Sequence, residues 1–513
     1  MTQRDTLRQC WSAVLDLEID DISDCSNFLD LGGDSVQAIR LVEVARKHRL
    51  RLDVETVFNC PDFQDMLTSS DSATAIEASE APFEEQLDTT AVQICADVCG
   101  VRPKLVEDIF PTIGMQNDMM KGHLHSGAWL IQMVFELQGT QNIEYVCKAF
   151  ETIRAKNQVF RTRLVQMDSG VLQVALKDPI VWQKATDLKE YLTKDSKLRM
   201  GYGQPLVRHA VIQESGKTYI VWTCLHCVMD GWTRRLLWQD LESYLENPVA
   251  FTAKPHRPSF KDFVNYRRSL DSEEANKFFK EYLATIPNTK SLYTIPKDYT
   301  ALTNRSVTTE IFVDRPTRGT VTFPTMGLAA LALAVGQVTA SYEITLETLR
   351  GARTEPMPGI ESVMGPLLSG MLLKIQLPRE EPVSAFLRKI QDTATQMLKY
   401  EAFSLKHYPA FGTNQITFNW HPLGSDLLTK AARFSVGEDQ ASFRAVQRLY
   451  PNPQASLGYV FNLYDQGDHL RVLSEFDDQL LEAPLIERVQ DLFAEKLKKI
   501  CGGQEVSVGS LMT

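Results

Sequence analysis

Two short clusters in this chain combine residue types and spacing that can do chemistry. The first is Leu31-Gly32-Gly33-Asp34-Ser35, running directly into Val36, Ile39 and Val42. Two glycines let the backbone turn sharply and approach a partner closely. Asp34 stands where a carboxylate favours a helix N-terminus, which leaves the Ser35 hydroxyl at an exposed lip, open to a bulky covalent attachment. The second cluster is Leu225-His226-Cys227-Val228-Met229-Asp230-Gly231, at the end of the apolar run from Thr218 to Cys224. A buried strand ending in a His-x-x-x-Asp-Gly loop sets an imidazole where a cleft can open, placed to orient a nucleophile or take its proton. Blander readings exist for both: a glycine turn with a serine N-cap, and a structural histidine. A metal site of Cys224, His226 and Cys227 is a further rival. Neighbouring strand residues point to opposite faces, so those three converge poorly, and no fourth ligand is apparent.

The elements that must hold these clusters are legible in the apolar periods. Leu7, Trp11, Val14 and Leu15 recur at i, i+4, i+7 and i+8, the mark of a one-faced helix. A second helix runs from Ser35 to about His48, and Val54, Val57 and Phe58 make a short third. Asn59 and Pro61 then signal a new start leading into Phe63, Met66 and Leu67. Such a small four-helix bundle, expected over residues 1–68, has a modest core and presents Ser35. Residues 69 to 90 are small, polar and acidic with no apolar period, the composition of a flexible linker; its expected extent is 69–97. Beyond it strands and helices mix. Trp129 to Gly139 reads as a strand and Asn142 to Asn157 as a helix. Arg208–Gln213 and Thr218–Cys224 read as a hairpin, and Thr233 to Leu245 as a helix. The second half carries expected helices at about 324–340, 381–400 and 481–500, with strands near 307–313, 371–377, 413–420, 458–464 and 469–476. The expected class is α+β or α/β, with two lobes spanning about 98–272 and 273–513.

At 513 residues the chain is too long for one core. Its 44% hydrophobic and 23% charged content are those of an ordinary globular protein. A net charge of −11 argues against nucleic acid or an anionic membrane as the main partner. Nine cysteines at irregular spacings, with no signal peptide in view, predict free thiols in a reducing cytoplasm. The apolar run Met326–Gly336 is too short to span a bilayer and reads as a buried helix.

The LGGDS string, in its helical setting over residues 6 to 68, resembles the 4'-phosphopantetheine attachment site of carrier domains in nonribosomal peptide synthetases. His226, Asp230 and Gly231 resemble the second half of the HHxxxDG motif of condensation domains, with Leu225 in place of the first histidine. Further segments resemble condensation-domain motifs in family order: Val106 to Pro111 with Met115-Gln116, Phe160 to Leu164, Phe260 to Phe263, Gly351-Ala352-Arg353, Pro358 to Glu361, Met364 to Pro366, Thr417 to Trp420 and Glu475 to Asp478.

The resemblance implies a four-helix carrier bundle followed by a two-lobed, chloramphenicol-acetyltransferase-like condensation domain with a tunnel between its lobes. It makes Ser35 the attachment residue, with Asp34 beside it, and His226 the catalytic histidine. Asp230 is structural support, Arg353 its candidate partner, and the Gly231 N–H a candidate oxyanion donor. Asn419 and Trp420 fall on the strand of the floor loop. Implied partners are a phosphopantetheinyl transferase, upstream synthetase modules and a peptidyl thioester substrate. No adenylation domain and no G-x-S-x-G nucleophile elbow occur in the chain. The Leu225 departure is one seen in fungal terminal cyclising domains, so the expected activity is release of a peptide by macrocyclisation. Bimolecular condensation with a downstream carrier, epimerisation and an inactive docking module stay open.

Overall fold

Trp11 sits at the centre of the N-terminal bundle, its ring meeting Phe28 edge-on at 5.2 Å and Phe63 at 5.3 Å. Around it pack helices Gln3–Leu15, Ser35–Lys47, Val54–Asn59 and Phe63–Ser72. Thr2 and Asp5 cap the first helix reciprocally, and Asp53 caps the third. This is a computed structural model, and it describes residues 2–33, 35–72, 88–139, 143–270, 272–284, 291–314, 321–351, 353–355, 357–403, 416–422, 431–436, 439–449, 457–503 and 505–512.

The expected linker at 69–97 is helical at both of its ends. Helix Phe63–Ser72 covers its start, and helix Thr89–Cys99 covers its end. The reason at the second end is apolar spacing: Cys95 and Cys99 bury with Val165, Val174 and Leu176. Residues 73–87, the heart of that linker, lie outside the described residues.

Fifteen strands build the rest among the described residues. In the first half they are β1 (Val106–Pro111), β2 (Leu130–Gly139), β3 (Thr162–Met167), β4 (Gly170–Leu176), β5 (Trp182–Ala185), β6 (Val207–Glu214) and β7 (Lys217–Leu225). In the second they are β8 (Arg305–Ile311), β9 (Glu343–Gly351), β10 (Leu368–Gln376), β11 (Ile416–His421), β12 (Ala431–Val436), β13 (Asp439–Leu449), β14 (Tyr459–Asp465) and β15 (Leu470–Phe476). One six-stranded sheet has the order β12-β13-β2-β7-β6-β5, a second has β10-β9-β11-β14-β15-β8, and a small one has β1-β4-β3. Each large sheet is the heart of one lobe with its own apolar cluster. Met326–Gly336 lies in helix Phe323–Thr339, buried along almost its whole length against the second sheet.

The lobes do not divide cleanly along the sequence. β12 and β13 come from the second half yet extend the first-lobe sheet, β13 pairing antiparallel with β2. Phe443 of β13 stacks on Phe135 at 5.0 Å, which buries an edge β2 would otherwise expose. Sequence periodicity missed β1, β3, β4, β5, β9, β12 and β13. Strand-length runs give no clue to which edge they will join.

Candidate active site

The end of β7 turns through His226–Val228 into helix Gly231–Glu246. Leu225 faces the first-lobe core and is fully buried. His226 is partly exposed, its backbone N–H donating to the Trp129 carbonyl at 2.8 Å and its ring meeting the Trp129 indole edge-on at 5.7 Å. Trp129 has φ +67, a left-handed conformation rare for a bulky residue. It is held there by that bond and by packing against Leu457 and Val460 of the second lobe. Both lobes thus meet at Trp129, beside the histidine.

Asp230 is buried and caps helix Gly231–Glu246 by accepting the Thr233 N–H at 2.6 Å. Its second oxygen accepts from the Leu367 N–H and from Arg353 Nη2, both at 3.1 Å. Arg353 is buried too and donates through Nη1 to the carbonyls of Ile360 and Val363 at 3.0 and 2.8 Å. Burial pulls the guanidinium pKa down, and the Asp230 carboxylate opposes that pull. Thr233 adds a second tie, its Oγ1 donating to the Gly365 carbonyl at 2.7 Å and accepting the Gly365 N–H at 2.9 Å. A side chain at Gly365 would run into Phe260, 2.2 Å from an added Cβ, and its φ of +152 disfavours one independently. From the other side Gln116 donates to the Cys227 carbonyl and to Gln173 Oε1, each at 2.9 Å. The loop is clamped by four elements. From Leu225 to Asp230 the histidine is the one residue left partly exposed.

The motif segments dispersed along the chain meet as ion pairs. Glu107 pairs with Arg161, and Asp108 with Lys261 at 2.8 Å. Glu355 accepts from Arg267 Nε at 3.0 Å, tying helix Phe260–Ser269 to the second lobe. Cys224 and Cys227 are buried in the core, and burial pushes the Cys224 thiol up to about 12. Among the described residues no three His, Cys, Asp or Glu side chains converge to hold a metal ion.

Asn419 and Trp420 point to opposite faces of β11, so they are not one feature. Asn419 donates to Asn462 Oδ1 at 3.0 Å on the face toward the first lobe. Trp420 packs on the second-lobe core and against Phe323, ring centroids 5.6 Å apart. Gly231 opens its helix, where a backbone N–H has no intrahelical acceptor.

Asp34 lies outside the described residues. Ser35 opens helix Ser35–Lys47, preceded by Gly32 at φ +91 and by Gly33, where a Cβ would lie 2.4 Å from the Phe28 ring. The bundle itself rests on the second part of the chain. Leu398 and Trp232 join its apolar cluster, and Arg46 stands 4.0 Å from Glu361. Trp232 Nε1 donates to the Glu361 carbonyl at 2.8 Å, and the guanidiniums of Arg235 and Arg353 each lie 5.5 Å from its ring. Trp232 directly follows Gly231. The bundle therefore touches the helix that begins at the His226–Asp230 loop, a contact with no periodic signature in the sequence.

The condensation-domain family matches residues 115–511, and the phosphopantetheine attachment site family matches residues 5–68. The chain belongs to the condensation-domain family. It is a carrier–condensation didomain of the nonribosomal peptide synthetase type, carrying covalent 4'-phosphopantetheine, and its class is amide-forming acyl transfer. It is 28% identical to nonribosomal peptide synthetase sidD of Aspergillus fumigatus over 94% of this chain and 23% of the relative. It is 26% identical to cyclochlorotine synthetase of Talaromyces islandicus over 96% of this chain and 9% of the relative. The didomain thus spans less than a quarter of these relatives. Among solved structures, holo T3CT matches at TM-score 0.64 and 17% identity, over 83% of this chain and 100% of that one. The epimerization domain of tyrocidine synthetase B matches at TM-score 0.62 and 13% identity, over 78% and 98%. The shared fold does not separate condensation from epimerisation. Among the described residues no helix is long and apolar enough to cross a membrane.

Proposed function

We propose that this didomain releases the peptide held on its own carrier by intramolecular amide formation at His226, with Ser35 as the attachment residue. The observation that carries the reading is the seat of the carrier: it rests on Trp232, beside the loop that holds His226 partly open to the cleft while Asp230 is locked away. The acyl donor is then supplied in cis. The Leu225 departure supports a nucleophile that arrives on the same molecule.

When attached, the pantetheine arm supplies the peptide as a thioester, an activated acyl group. The chain's residues then have little bond-breaking to assist. An α-amine with a pKa near ~8 is about a tenth neutral at pH 7, so a strong base is unnecessary. Orientation contributes about 7–11 kcal/mol and a general base about 10²–10⁴-fold. His226 orients the amine and accepts its proton as the C–N bond forms and the C–S bond breaks. The Gly231 N–H, at the positive end of a helix, faces negative charge developing on oxygen at low cost. Asp230, with both oxygens engaged, is a positioning residue.

Two experiments bear on this. A promiscuous phosphopantetheinyl transferase with coenzyme A adds one arm to the wild type and none to Ser35→Ala, read by intact-protein mass; an unchanged wild-type mass contradicts the assignment. Holo-protein loaded with a matched peptide then yields cyclic product with no added acceptor, and a blocked N-terminal amine leaves the thioester intact. A loaded protein that stays inert until an aminoacyl-carrier is supplied, and then gives a linear peptide, favours bimolecular condensation instead.

A further inference from the structure

Glu347 is a carboxylate on the second-lobe sheet, and among the described residues it makes no ion pair. It lies in β9, in register with Thr417 of β11, which in turn is in register with Val460 of β14. Residues in register across parallel strands share a face. That face looks toward the first lobe at two points: Val460 packs on Trp129, the neighbour of His226, and Leu349, two residues along β9, packs against the first-lobe core. The opposite face, with Leu346, Phe418 and Phe461, belongs to the second-lobe core. Glu347 therefore sits two strands, about 10 Å, from the Val460–Trp129–His226 contact.

The same face carries Asn419, Asn462 and the buried Glu475, whose Oε2 accepts from Asn462 at 2.9 Å. Glu347 Oε2 accepts from Thr417 Oγ1 at 2.9 Å, and among the described residues that is the carboxylate's single hydrogen bond. The side chain is enclosed by protein yet keeps some accessible surface. Burial pushes its carboxyl up to about 7, against the weaker pull of the Thr417 hydroxyl. Its charge in turn helps to raise the nearby Tyr293 phenol. A carboxylate without an ion-pair partner on an enclosed, polar sheet face is held at the cost of desolvation, and an incoming cation would relieve that cost.

We infer that Glu347 is the binding residue for the ammonium group of an amine substrate, a primary ammonium held on the second-lobe wall before it loses its proton and reaches the carbonyl beside His226. This rests on the amide-forming reading above. A carboxylate there holds the amine end of the substrate and discriminates against acylated or uncharged groups of the same shape.

The test uses the full holo-protein and a non-transferable probe, glycyl-aminopantetheine joined by an amide, alongside its N-acetyl derivative. Titration calorimetry at pH 7.5 should show wild type preferring the free amine by about tenfold or more. Glu347→Gln should bind both forms equally, with unchanged affinity for the N-acetyl form and an unchanged melting temperature. Glu347→Asp should recover part of the preference. No amine preference in wild type, no binding at millimolar probe, or a preference that survives in Glu347→Gln overturns the inference. Turnover separates the two readings. If wild type forms the amide but the preference ignores Glu347, the Glu347 assignment alone falls. If the preference depends on Glu347 while His226→Ala turns over normally, the catalytic reading falls and the ammonium site stands.

Discussion

Replacing His226 by alanine should lower single-turnover amide formation by about 10²–10⁴-fold with the fold intact. The side chain is partly exposed at the end of β7, and its backbone bond to the Trp129 carbonyl does not need the imidazole. The loop is held independently by Asp230, Thr233 and Gln116. What the variant loses is the edge-on contact with Trp129 and, in the proposed mechanism, the group that orients the amine and takes its proton. The loaded holo-protein, followed by intact mass, should hold its thioester for far longer, while its melting temperature stays within a degree or two of wild type. Full turnover in His226→Ala would remove the histidine from the mechanism.

Arg353→Ala should act on stability before activity. It leaves Asp230 buried with no cation, and strips the Ile360 and Val363 carbonyls of their guanidinium donor. Breaking a buried pair from one side costs about 3–5 kcal/mol, a fall in melting temperature on the order of 10 °C. Asp230→Ala should lose a similar amount, because it orphans Arg353 and uncaps helix Gly231–Glu246 at once. The double variant Asp230→Ala, Arg353→Ala should cost less than the sum of the two, since neither charge is then left alone. Calorimetry on the three proteins decides it. If Arg353→Ala melts normally and yet loses all turnover, the pair takes part in chemistry and does not merely position the loop.

The clamps explain how a loop only a few residues long can hold an imidazole steadily between two lobes. Asp230 and Thr233 reach into the second lobe, Gln116 reaches the small sheet, and Trp232 carries the carrier. Loss of the carrier contact would thus be felt at the first turn of the helix that Asp230 caps. That is a direct mechanical link, since Trp232 Nε1 and Arg46 both engage Glu361 and Arg353 binds the carbonyl one residue earlier.

What this sequence determines by itself is local. The carrier helices follow from apolar residues three and four apart, and the β6–β7 hairpin from a turn between two β-rich runs. The His226–Asp230–Gly231 spacing and the Gly-Gly-Asp-Ser turn are contiguous, so their chemistry could be read before any fold was known. Arg353 was nameable only through its motif, because 123 residues separate it from Asp230. Tertiary structure alone decided the rest. β13 adds to β2 across more than half the chain, Trp232 and Leu398 become part of the carrier's apolar surface, and Glu347 turns toward the cleft and not the core. A strand's period of two says that alternate residues share a face, but not which face will meet the other lobe. Closing so long a loop costs little more than closing a short one, so sequence distance sets no preference among partners. The choice falls to packing and charge pairing across the finished interface.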